Sequence, residues 1–343
     1  MAEARWTCEQ AREWYGRQPW LVGCNFLPST AVNDVEMWQA ETFDTETIGR
    51  ELGWAAGLGF NSLRVFLQYL VWDADPAGFL ERFERFLELA GSHGMTTMPI
   101  LFDDCTHAGY ELHLGPQEDP LPGVHNSRWV PSPGRKIASD KGNWPRLEEY
   151  VRDVIGRFAH DSRVIVWDLY NEPGACPDFD PKELLSASFD WAHDVRPDQP
   201  LTAGPWRGKL WEAELDTVKQ EDELAAIMID RSDVISFHSY LGPEIVEQWI
   251  RNLAACDRPM LCTEWMARGP RGSTFQAVMP VWKREKVGCY NWGLVAGRTQ
   301  TYIPWGNPSG ELEPEVWHHD IFRKDGTPFD QAEIDAIRGL TGK

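Results

Sequence analysis

The feature that most constrains this chain is an alternation of short apolar strands with amphipathic helices, repeated eight times along its length. β-Branched and aromatic runs predict strands at 20–28, 61–67, 96–104, 164–171, 201–205, 233–240, 260–265 and 287–292. Helices are predicted between and after them, at 44–59, 75–93, 145–158, 181–194, 219–230, 243–255, 273–286 and 330–339. Their ends are marked in the sequence: Asp44 and Asp75 are N-cap residues, Pro76 suits a first helical position, Asn143 caps the helix that follows, and Gly59 and Gly94 stand at stops. There is no run of a different element type, internal repeat or linker. A single (β/α)8 TIM barrel over residues 1–343 is therefore expected, an α/β fold, in preference to two ordinary domains. The surplus over a barrel of about 250 residues falls in the N-terminal segment and in long loops after strands three and eight, 105–143 and 293–322.

Charge then narrows the ligand. A net charge of −20 lacks the basic footprint that nucleic acid or an anionic membrane requires. No stretch approaches the ~20 apolar residues of a membrane span, and the N-terminus has no apolar region behind basic residues, so a cytoplasmic protein is expected. The seven cysteines are an odd set without CxxC spacing, which reads as free thiols in a reducing compartment. A neutral carbohydrate is compatible with the charge. The 18 tryptophans exceed what a core usually takes, and flat indole faces stack on pyranose rings.

In a barrel of this kind the site lies at the C-terminal ends of the strands. Asn25, Arg64, Asp103, Asp104, Asn171, Glu172, His238, Tyr240, Glu264 and Trp292 stand at those ends. The apolar run 164–170 closes on Asn171-Glu172-Pro173, a carboxylate and an amide that burial does not explain. In a regular strand Asn171 and Glu172 would point oppositely, so both reach the site only where the strand ends, and Pro173 biases Glu172 away from helix. Ser236, His238 and Tyr240 share a face by the two-residue period, as do Cys262 and Glu264. Carboxylates on strands four and seven suit glycoside hydrolysis, one protonating the leaving oxygen and the other attacking the anomeric carbon. Retention needs them ~5–5.5 Å apart and inversion ~6.5–9.5 Å. Were a cation and a phenol to lie beside it, Glu264 would keep a low pKa, and Glu172 a raised one.

Asn-Glu-Pro ending strand four, His-x-Tyr ending strand six, Thr-Glu-Trp ending strand seven and a Trp ending strand eight resemble the retaining β-glycosidases of clan A, closest to glycoside hydrolase family 5, the cellulases and β-mannanases. The resemblance implies Glu172 as acid/base and Glu264 as nucleophile. Asn171 would bind the sugar 2-hydroxyl, Arg64 and Tyr240 would keep the nucleophile ionised, and His238 would sit by the acid/base. Trp292 would form the floor of the −1 subsite after an unusual cis peptide. No metal or organic cofactor is implied. The family often has His at the end of strand three, where this chain has Phe102-Asp103-Asp104, so its specificity cannot be carried over from a cellulase or mannanase.

Plainer readings stand beside these. Arg64 could neutralise Asp168, and His238 could be a satisfied core histidine. Asp103 and Asp104 could cap the next loop or bind substrate hydroxyls. Trp129, Trp144, Trp206, Trp265 and Trp305 are stacking candidates by their place in rim loops, each as open to a packing role. A His-x-His ending strand one, which a metal-dependent barrel hydrolase would show, is absent: Cys24-Asn25-Phe26 is there. The expectation is a β-glycoside hydrolase acting on oligosaccharides or small glycosides, with the third loop folded over one end of the cleft for exo action. The alternatives are a transglycosylase sharing every residue and a catalytically silent carbohydrate-binding barrel. Nothing in the sequence marks an oligomeric state.

Overall fold

The computed structural model describes residues 5–107, 109–176, 178–207, 212–307 and 309–343. Eight parallel strands form one sheet in the order β5-β4-β3-β2-β1-β8-β7-β6. They are β1 (Val22–Asn25), β2 (Ser62–Phe66), β3 (Thr96–Asp103), β4 (Trp167–Asn171), β5 (Leu201–Thr202), β6 (Ile235–His238), β7 (Met260–Trp265) and β8 (Gly288–Trp292). Parallel strands need crossovers, and helices supply them around the outside. The sheet edges β5 and β6 meet through other bonds. Thr202 Oγ1 donates to Val234 O at 2.8 Å and lies 2.8 Å from Ser236 Oγ, and His238 N donates to Pro205 O at 3.2 Å. β5 is shorter than its apolar run predicted because the chain there presses against β6. A Cβ at Gly204 would lie 2.7 Å from Ser236 Oγ.

The barrel has distinct floors. At the N-terminal ends of the strands, Leu21, Met98, Val166, Val234, Leu261 and Tyr290 cluster with Trp14, which reaches in from the helix Cys8–Gly16. Thr7 and Gln10 cap that helix reciprocally, so the N-terminal segment acts as a plug. The outer layer packs helix faces such as Phe79, Phe83, Phe86, Leu87 and Ala90 of Pro76–Ser92 against the sheet. Polar and charged side chains begin above the plug, at the C-terminal ends. Among the described residues no helix is long and apolar enough to cross a membrane. All seven cysteines are free thiols.

Several expected boundaries moved for local reasons. Asp44 and Asp75 cap their helices as read, accepting from Thr47 N and Gly78 N. Asn143 makes no side-chain cap bond; Asp140 instead caps the turn before it through Gly142 N. The helix read at 219–230 is two helices, Leu215–Glu221 and Glu223–Arg231. Asp222 ends one and caps the other through Ala225 N.

One buried acid makes stability depend on pH. Glu51, fully buried on the helix Thr45–Gly57, accepts from Ser29 N at 3.1 Å and from the Ser29 hydroxyl. Burial pushes its carboxyl up to about 7. Because the folded value lies above the unfolded one, the neutral form is accommodated fully in acid and its contribution is lost as pH rises toward 7. Glu51→Gln keeps an acceptor for Ser29 N and offers an amide to the hydroxyl. It should be more stable than the parent at pH 8, on the order of 1–3 kcal/mol, and no more stable at pH 5, in thermal melts at the two pH values.

Candidate active site

A cleft of about 520 Å3 opens at the C-terminal ends of the strands. Its walls include Phe66, Trp129, Asn171, Glu172, His238, Tyr240, Glu264 and Trp292. Glu172 reaches it by a strained backbone. A residue before proline normally stays extended, yet Glu172 has φ 42°, in a region that costs a non-glycine residue about 1–2 kcal/mol. Hydrogen bonds hold the turn that follows. Gly174 N donates to Asp104 Oδ2 at 2.6 Å, Trp206 Nε1 to Pro173 O at 3.2 Å, and Arg207 Nη1 to Gly174 O at 3.1 Å.

Glu264 is aimed by a second irregularity. Against β8, Cys262 pairs with Cys289 and Trp265 with Asn291; against β6, Phe237 pairs with Cys262 and His238 with Glu264. Each register leaves an extra residue on β7, a bulge at Thr263–Glu264, which re-aims side chains. Asn25 Nδ2 donates to the Thr263 carbonyl at 2.8 Å. Two expectations are corrected here, the first by the bulge itself. Cys262 joins the outer core while Glu264 faces the cleft, so they do not share a face. Trp265 is 1% exposed against Phe275 and Trp282, and no sugar can stack on it there.

Arg64 joins these pieces. Its side chain is buried, with Nε and Nη2 on Asp168 Oδ2 at 3.0 and 2.8 Å. Nη1 donates to Asn25 Oδ1 at 2.8 Å and Glu264 Oε1 at 3.0 Å, and Nη2 to Asn171 Oδ1 at 2.6 Å. It therefore neutralises Asp168 and also holds Glu264. Tyr240 Oη donates to Glu264 Oε2 at 2.7 Å. His238 Nδ1 lies 2.8 Å from Glu172 Oε1 and 3.6 Å from Glu264 Oε2. Burial pushes that imidazole down to about 4, so at neutral pH it is uncharged and donates from Nδ1 to Glu172. Glu172, His238 and Glu264 each place a ligand atom within 4.8 Å of the others. The closest carboxylate oxygens thus lie within that distance, and the three residues could also grip a divalent cation.

Burial pushes both carboxyl groups above their ordinary value. For Glu264 it outweighs His238, Arg64 and Tyr240, and the Glu172 charge adds to the rise. The expected low value for Glu264 is therefore not what the site gives.

Other expected contacts fall one layer back. Asn25 is buried beneath the cleft. Asp103 Oδ1 accepts from Asn171 Nδ2 at 2.8 Å and Oδ2 from Trp129 Nε1 at 2.8 Å, while Asp104 Oδ1 accepts from Tyr170 Oη at 2.7 Å. None of the three lines the cleft. Asp103 orients Asn171 and Trp129, which do, while Asn25 holds Arg64 and the Thr263 carbonyl and Asp104 holds Tyr170 and the turn after Glu172. Trp129 and Trp292 meet edge-on at 5.7 Å, and Phe66 joins both. The peptides flanking Trp292 are not cis. Gly293, at φ 76°, turns the chain there instead. Trp206 and Trp305 line the cleft, whereas Trp144 packs on Trp191 away from it. Cleft residues not singled out from sequence include Cys105, His125, Asn126, Arg207, Arg271 and His319. All lie in loops without periodicity, and the only signal for Cys105 was its place just past strand three.

No family model matches the sequence, and no curated protein is similar to it. Solved structures are. An exo-β-1,4-mannosidase from Opitutaceae bacterium strain TAV5 superposes with a TM-score of 0.64 at 19% identity over 94% of this chain. This chain spans only 60% of that protein's length. A GH5_18 protein from Streptomyces cattleya in complex with Manβ1-4GlcNAc gives 0.59 at 16% identity, covering 93% of this chain and 80% of that one. A glycoside hydrolase family 5 mannosidase from Rhizomucor miehei gives 0.54 at 14% identity, covering 92% of each.

The Arg64 junction makes a stability prediction. Arg64→Met leaves Asp168 and Glu264 as uncompensated buried charges and should cost about 3–5 kcal/mol in urea unfolding. Adding Asp168→Asn should recover part of that loss. At these identities, what the similar structures share with this chain is the (β/α)8 barrel fold.

Proposed function

We propose that this protein is a retaining β-glycoside hydrolase. The observation that carries the reading is the pair Glu172–Glu264, facing one another across a tryptophan-floored cleft with oxygens within 4.8 Å. Closest oxygens at that distance favour the ~5–5.5 Å carboxyl separation of a retaining pair over the ~6.5–9.5 Å of an inverting one. Glu264 is the nucleophile. Arg64 and Tyr240 donate to its two oxygens, which favours the charged form. Glu172 has a neutral imidazole N–H and a thiol as its donors, weaker support for a charge, and so carries the proton of the pair. In the first step Glu264 forms a bond to the anomeric carbon as Glu172 gives its proton to the leaving oxygen. In the second, Glu172 takes a proton from water, whose oxygen displaces Glu264.

The glycone side of the cleft is walled. The loops after β3 and β8 are bonded to each other: Asn126 N donates to Thr299 O at 2.8 Å, His125 Nδ1 to Ile303 O at 2.8 Å, Gln300 Nε2 to Leu121 O at 2.7 Å and Asn307 Nδ2 to Gly123 O at 2.8 Å. With Trp129 behind Trp292, they favour a pocket for one terminal sugar. Arg207, from the loop after β5, lines the cleft and is exposed, which suits a leaving group extending outward. Because the similar structures include mannosidases, a β-mannoside is the first glycone to try.

With an aryl β-mannoside, kcat/KM should follow a bell against pH. Glu172 must be protonated to act, so activity falls as pH rises through its raised pKa. Glu172→Gln should lose that alkaline limb and slow substrates with poor leaving groups by about 10²–10⁴-fold. An unchanged profile would remove Glu172 from the role. On β-1,4-mannopentaose the first products should be mannose and mannotetraose. An early mixture of dimers and trimers would contradict the walled pocket.

A further inference from the structure

The Glu172 carboxyl group has a donor on each oxygen, and only one of them, His238 on Oε1, belongs to the site read from sequence. The other is a thiol. Cys105 Sγ lies 3.1 Å from Glu172 Oε2. It is held there from two directions. The Cys105 backbone N–H donates to Asp103 Oδ1 at 2.9 Å, the same oxygen that accepts from Asn171 Nδ2. Asn171 Nδ2 also lies 3.6 Å from the sulfur. With Asn171 donating toward the sulfur, the S–H is directed to Glu172.

We propose that Cys105 is a positioning residue for the acid/base: its S–H donates to Glu172 Oε2, fixing the carboxylate's orientation and helping to set the pH at which it gives up its proton. This rests on the role proposed above for Glu172. Burial, with Asp103, Glu172 and Glu264 adding to it, pushes the thiol well above its ordinary value, so it stays protonated and donates. The choice of sulfur has a physical rationale. A hydroxyl would donate more strongly and stabilise the charged carboxylate further, whereas a thiol is a weak donor. It can orient Glu172 while leaving the proton-bearing form accessible.

The other groups acting on Glu172 are His238 from β6, Glu264 from β7 with Tyr240 beyond β6, Arg64 from β2 and Arg207 from the loop after β5. All remain in Cys105 variants, so a change isolates the thiol. Cys105→Ala removes a donor to the charged form and should move the alkaline limb of kcat/KM to higher pH, by roughly half a unit, about threefold in relative rate on that limb. Cys105→Ser should move it the other way. An unmoved limb in both folded variants would reduce Cys105 to space-filling and overturn the proposal.

A spectroscopic arm needs neither catalysis nor a Cys105 variant. The infrared S–H stretch of one thiol should lie at lowered frequency, shift as Glu172 titrates, and move upward in Glu172→Gln. A band indifferent to that substitution and to pH would refute the contact even in an active enzyme. A shifted band in a protein that hydrolyses no β-glycoside would instead uphold the contact and defeat the functional reading.

Discussion

The site depends on the burial of one guanidinium. Arg64 sits inside the barrel with 1% exposure, and an ion taken so far from water survives only if its donors are met. Asn25, Asp168, Asn171 and Glu264 meet them, from β1, β4 and β7. The demand runs both ways. Asp168 and Glu264 are buried acids whose charge the same interior disfavours unless it is paired. Asn25 is turned so that its oxygen faces Arg64 and its amide reaches the Thr263 carbonyl, which ties the arginine to the bulge that aims Glu264. One cation thus fixes three strand ends and the place of Glu264 among them.

Both key carboxylates sit where regular backbone gives way. Glu172 takes a left-handed φ just before a proline, and Glu264 follows an extra residue in β7. An unbroken strand would alternate its side chains between cleft and core and could not deliver Asn171 and Glu172 together. Such departures persist because surroundings over-determine them. Asp104, Trp206 and Arg207 clamp the turn after β4, and Asn25 satisfies the bulge. The back layer of carboxylates and amides therefore serves the chemistry through backbone shape.

How much of this was legible in the sequence follows from what periodicity encodes. The eight strand–helix units and the Asp44 and Asp75 caps rest on local pattern, and the structure keeps them. The residues at the strand ends were found because barrel geometry places them on one rim. Whether a rim residue lines the cleft or supports its neighbour was not encoded locally: Asp103 and Asp104 are adjacent acids with no mark of being turned away. Trp265 was misplaced because it was read as part of a rim loop, whereas it is the last residue of β7 and alternates with Glu264 into the core behind the strand. Asn126 and His125 are placed by contacts between loops some 170 residues apart in sequence, such as Asn126 with Thr299, and Cys105 by Asn171, 66 residues on, which no local window contains.

In the proposed hydrolase the parts divide the labour: Arg64 and Tyr240 would prepare Glu264, His238 and the strained turn would present Glu172, and Trp292 and Trp129 would floor and wall the glycone pocket. The central claim is the covalent role of Glu264. The most direct measurement is peptide mass spectrometry after incubation with a 2-deoxy-2-fluoro-β-mannoside bearing an activated leaving group, or its gluco counterpart, either of which would trap a glycosyl-enzyme. The account predicts one fluorosugar per chain, attached to the peptide that carries Glu264 and absent from Glu264→Gln. Attachment at Glu172 or at any other residue would contradict it.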